Sequence, residues 1–146
     1  MKYTLNQIIA LLQTFANNHL QITSFGYGED YDIEASGAKQ APLMWANVVN
    51  ANRSKNELVI SFKVVFLDLC EEDLTNENEI LSDTLQTALD FIAEFQDSTY
   101  TNNGLYFTTD NAITPVHESF DNAWSGWSVD FSFRQQYYND YCQIPK

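Results

Sequence analysis

His117-Glu118 is the one place in this chain where a histidine meets a carboxylate, the pairing that general acid-base catalysis uses. The pair lies in a predicted strand or loop next to Pro115, and adjacent residues on a strand point to opposite faces, so the two side chains are not expected to form a dyad. His19 ends a helical pattern and has an ordinary structural explanation. Gly26-Tyr27-Gly28 hints at a phosphate loop, but no third glycine, P-loop lysine or helix start follows, and Glu29 and Asp30 would repel the ligand. Asp30, Asp32 and Glu34 alternate somewhat as calcium ligands do. Gly37 comes too late for that loop, however, and Ala41 stands where its closing glutamate belongs. A solvated acidic loop is the better reading, as it is for Glu71, Glu72, Asp73, Glu77 and Glu79. Cys70 and Cys142 make no CxxC pair and read as two buried thiols, not as a zinc or redox centre. Asn52-Arg53-Ser54 matches a glycosylation acceptor by chance, since no secretory signal is expected. With no nucleophile constellation and no metal-ligand spacing, the residues imply no enzyme, no cofactor and no metal.

These residues sit on a chain of 146 residues, one domain's worth, long enough to bury about 70 % of the surface its unfolded form exposes. Hydrophobic residues make up 45 % and aromatics 14 %, which implies a folded protein despite a net charge of −13. Seven basic residues against twenty acidic ones repel phosphate, so groove binding on DNA lacks its main electrostatic term. MKYTLNQIIALLQTF is apolar on one stripe only and is expected to be neither signal peptide nor membrane span, leaving an intracellular origin as the default.

Thr4-Leu5-Asn6-Gln7 has the form of a capping box, and Leu5, Ile8, Ile9, Leu12, Phe15 and Ala16 then recur at helical spacing, predicting a helix over 5–19. Ile22 to Tyr27 reads as a short strand before the loop GEDYDIEASGAKQAP. Leu43 to Val49 and Glu57 to Asp68 read as strands, with ANRSKNE as the turn or loop between them. In the second strand Leu58, Ile60, Phe62, Val64 and Phe66 share a face. An acidic connector leads to a helix capped within Asn76 to Glu79, whose stripe is Leu81, Leu85, Ala88, Leu89, Ile92 and Phe95 and whose other face is wet and acidic. After a turn at Asn102-Asn103-Gly104 come Leu105 to Thr108, then Ile113 to Phe120, then a strand in which Trp127, Val129, Phe131 and Phe133 point one way. The order helix, strands, helix, strands predicts an α+β fold: one antiparallel sheet of four to six strands with two helices packed on one face, in a single domain over 1–146.

The last stretch, SFDNAWSGWSVDFSFRQQYYNDYCQIPK, concentrates aromatic side chains. Trp124 and Trp127 should face opposite ways, with Gly126 between them permitting a bulge. Tyr137, Tyr138 and Tyr141 follow in an apolar tail, and Arg134 beside them is a candidate partner for a neighbouring carboxylate. Tyrosine and tryptophan anchor interfaces with large area and few rotatable bonds, so this end is read as one that either folds back onto its own core or packs on a neighbouring subunit.

NENEILSDTLQTALDFIAEF, then ITPVHESFDNAWSGWSVDFSF, then the ending YNDYCQIP resemble small structural proteins of tailed bacteriophages infecting Bacteroidetes, crAss-like phages included. The likeness runs from TLNQII through SFGYGEDYDI and MWANVV to the C-terminus, as a pattern of spacing and residue type without a catalytic signature. It implies a role like that of head-to-tail connector and tail-terminator proteins, whose α+β subunits form closed rings, roughly six- or twelve-fold, around the DNA channel. In that case the chain is a non-enzymatic virion component, assembled in the host cytoplasm and lying against portal, neck or tail ring proteins. DNA passes through its lumen without specific binding, and no membrane is involved. The expected subunit contacts are Trp124, Trp127, Arg134, Tyr137, Tyr138 and Tyr141, with Asp30 and Asp32 in the 29 to 41 loop and Arg53 and Lys55 in the hairpin. Where such proteins often carry an arginine before the terminal cysteine this chain has Tyr141, so an ion pair there is not carried over. The alternative reading is a monomeric module that binds a glycan or other small ligand by stacking on Trp and Tyr and hydrogen bonding to Asn.

Overall fold

A computed structural model describes residues 3–29, 41–69, 76–119, 124–137, 142, 144 and 145. The first helix, α1 (Leu5–Asn18), opens through the capping box read in the sequence. The Thr4 hydroxyl accepts from the Gln7 amide at 3.2 Å, and Gln7 Oε1 accepts from the Thr4 amide at 2.8 Å. Ile8, Leu12 and Ala16 form the buried stripe, as their spacing predicts.

The chain continues as β1 (Ser24–Tyr27), β2 (Leu43–Ser54), β3 (Glu57–Leu69), α2 (Glu77–Phe95), a short α3 (Ser98–Asn102), β4 (Tyr106–Ser119) and β5 (Trp124–Gln136). Among the described residues these strands form one five-stranded sheet in the order β1-β2-β3-β5-β4, antiparallel except where β1 runs parallel to β2. Apolar side chains of α1 and α2 join those of one sheet face in a single core, which makes the fold α+β with both helices on that face.

β5 lies between β3 and β4, so the strand richest in aromatics is central, not peripheral. Its Phe131 and Phe133 meet Phe62, Phe91, Phe95 and Phe107 with ring centroids 5.1 to 6.1 Å apart, in tilted, edge-to-face and stacked arrangements. On the opposite face, at the end of the sheet where β1 begins, Leu43, Trp45, Val65, Leu67 and Trp124 form a second, smaller buried cluster. Trp45 lies across Gly26 so closely that a Cβ there would overlap the indole, and its Nε1 donates to the Gly28 carbonyl at 3.0 Å.

Three expectations need correction. The segment ANRSKNE holds the expected hairpin turn but most of it is strand, because β2 and β3 stay paired down to Ser54 opposite Glu57 and turn on Lys55 and Asn56 alone, Lys55 at φ 53°. Its polar residues hid the strand, since both faces are exposed there and no alternation is imposed. The segments at 105–108 and 113–120 are one strand, β4, which absorbs extra residues between Thr109 and Ile113 and again between Val116 and Ser119. The buried stripe of α2 is rotated from the predicted one: Ile80, Thr84, Thr87, Ala88, Phe91 and Phe95 face the core, while Leu89 is 45 % exposed. Threonine can sit there because each hydroxyl returns to a carbonyl one turn back, Thr84 to Ile80 at 2.6 Å and Thr87 to Asp83 at 3.2 Å, leaving its methyl to pack.

Candidate subunit interface

Trp124 and Trp127 do face opposite ways. Trp127 is half-buried on the helix side, where its indole N–H donates to the Leu81 carbonyl of α2 at 2.7 Å. Trp124 is 3 % exposed in the opposite cluster, and its Nε1 has no hydrogen-bond partner among the described residues. Within one chain Trp124 is enclosed and Trp127 keeps part of its indole at the surface, because a central strand gives most of its large side chains to its own core. Gly126 makes no bulge in β5. It stays paired with Leu67, and a side chain there would overlap the Phe66 carbonyl of β3.

Arg134 finds its carboxylate inside the subunit, with Nε 3.9 Å from Glu57 and the guanidinium 5.5 Å from the centroid of the Tyr106 ring. Both partners of the ion pair are about half exposed, so it contributes little to stability. Tyr137 is half-buried and its amide donates to the Asn56 carbonyl at 2.6 Å, tying the start of the tail to the β2–β3 turn. Cys142 is exposed, against the expectation of a buried thiol. Asp30, Asp32, Tyr138, Tyr141 and Cys70 lie outside the described residues.

Arg53 and Lys55 stand on the most exposed part of the sheet. β1 covers β2 only from Leu43 to Ala46, so beyond Ala46 β2 is the sheet's edge among the described residues, bulged at Val49, which is 58 % exposed. Residues 49–57 are all exposed, and neither Arg53 nor Lys55 has an ion pair or hydrogen bond among the described residues. The opposite edge, β4, is interrupted by its extra residues and by Pro115, features that discourage strand addition.

One hollow on the surface was not anticipated. It is an open groove of about 390 Å³ between α1 and α2, floored by Leu11 and Phe15 and walled by Asp90 and Glu94. Phe15 packs edge-on against Phe91 at 5.4 Å and so holds the two helices together beneath it. His19 Nδ1 accepts from the Gln21 amide at 3.1 Å, so Nε2 carries the proton and donates to Asp90 at 2.9 Å. With both ring nitrogens engaged, His19 orients Asp90 and is not a free base or metal ligand. The Tyr100 hydroxyl donates to Glu94 at 3.1 Å, and burial, with the Glu94 charge next, pushes its pKa up to about 12. Sequence reading saw an acidic helix face and a helix-end histidine; only the antiparallel crossing of α1 and α2 brings them together.

Among the described residues no three His, Cys, Asp or Glu side chains gather as metal ligands. His117 and Glu118 are consecutive in β4, as expected, and their side chains lie outside the description. Among the described residues no helix is long and apolar enough to cross a membrane. No known family model matches the chain, and no curated protein matches it at a significant level.

Proposed function

We propose that this protein is a non-enzymatic structural subunit of a tailed-phage virion, forming a homo-oligomeric ring at the neck or tail that joins portal and tail and lets DNA pass. The observation that carries the reading is the presence of two unlike surfaces on one subunit, a bare cationic sheet edge at Arg53 and Lys55 and an acid-walled groove at Asp90 and Glu94. A closed ring is built from a heterologous contact, in which one patch of each copy meets a different patch of the next. A charge of −13 per copy supports the second half of the reading, since a lumen lined by such subunits repels the phosphate backbone. The aromatic side chains that a glycan-binding groove needs are largely drawn into the core, with Trp45 and Trp124 buried and Trp127 half-buried, which weighs against the small-ligand alternative.

Quantitative mass spectrometry of purified phage particles tests this. The expected result is the protein present at a fixed ratio to the portal, at roughly six or twelve copies per particle. Absence from intact particles overturns the reading.

A further inference from the structure

We infer that the β2–β3 turn of one copy docks on the α1–α2 groove of the next, with Arg53 and Lys55 set against Asp90 and Glu94. The inference rests on the homo-oligomeric reading above and supplies its contact. Arg53 and Lys55 are cations without a described partner on a chain of net charge −13, held at the end of a hydrogen-bonded ladder and not on a loose loop. The groove is their complement in charge, with Asp90 and Glu94 in its lining. Glu94 accepts the Tyr100 hydroxyl through Oε1, which leaves Oε2 without a described donor. Asp90 takes His19 on one oxygen and Gln86 on the other, each with a lone pair to spare. These donors fix both carboxylates in place before a partner arrives, reducing the ordering cost of a charge-assisted contact. Leu11 and Phe15 on the floor suit the methylene stems of lysine and arginine, whose charged heads then reach the acidic wall. The two patches lie on different parts of the subunit, so the contact is heterologous and propagates from copy to copy.

The test mixes ¹⁵N-labelled and unlabelled full-length protein, concentrates it, and applies a carbodiimide that joins amines to carboxylates in direct contact. Isotopically mixed peptides linking Lys55 to Glu94 or Asp90 are expected. The double variant Arg53→Glu/Lys55→Glu should weaken self-association about tenfold, and adding Glu94→Lys should restore most of it. All three positions are exposed, and circular dichroism checks that the fold is kept. Oligomers that form with Lys55 linked elsewhere, or that survive the double variant unchanged, overturn this contact and leave the homo-oligomer standing. A chain that stays monomeric at every concentration, and is absent from particles, overturns the homo-oligomer and this contact with it.

Discussion

Tyr100 closes one end of the α1–α2 groove, and its hydroxyl proton is held there by burial and by the Glu94 carboxylate it donates to. A phenol whose folded pKa is about 12, against 10.0 in the unfolded chain, contributes stability that is complete below pH 10 and is lost as pH rises toward 12, because over that window the native state binds the extra proton. Denaturant unfolding across this window should therefore show stability falling with pH, and Tyr100→Phe should flatten that slope; equal slopes in the two proteins would contradict the assignment. At this scale the sequence was partly legible. The Thr4 capping box could be read directly because all its partners are local. The ties from His19 to Asp90 and from Trp45 to Gly28 could not, because each joins elements whose relative placement no spacing rule encodes.

Elements were legible where one face is buried and the other is wet. β5 alternated cleanly, and its apolar face is the one that meets the helices. α2 was found but rotated, since counting leucines missed the two threonines that satisfy themselves against their own helix. Two predictions belong to this scale. Phe91 is fully buried and its ring touches Phe15, Phe66, Phe95, Phe107 and Phe131, so Phe91→Ala should cost about 3–5 kcal/mol of unfolding free energy. Gly126→Ala should cost about 3 kcal/mol even though it adds one methyl to a strand, because the space is occupied by the β3 backbone, which cannot swing aside as a side chain can. Chemical denaturation of both variants checks these figures; a Gly126→Ala protein as stable as its parent would show that β3 and β5 are not so close.

At the scale of the whole molecule, the aromatic wealth of the C-terminal strand is explained by its central position, and the case for assembly moves from the tryptophans to charge. One copy carries a cationic edge and an acidic groove that do not meet within the chain, and in the proposed ring each would find its complement on a neighbouring copy. The fold class was readable from element order; the groove was not, because it exists only after two helices pack side by side. Electron imaging of the protein in its assembled particle tests the central claim most directly. The account predicts a closed ring of identical subunits around the DNA channel, each copy's β2–β3 turn seated on its neighbour's helices; a particle in which this chain stands alone, touching no second copy, would contradict it.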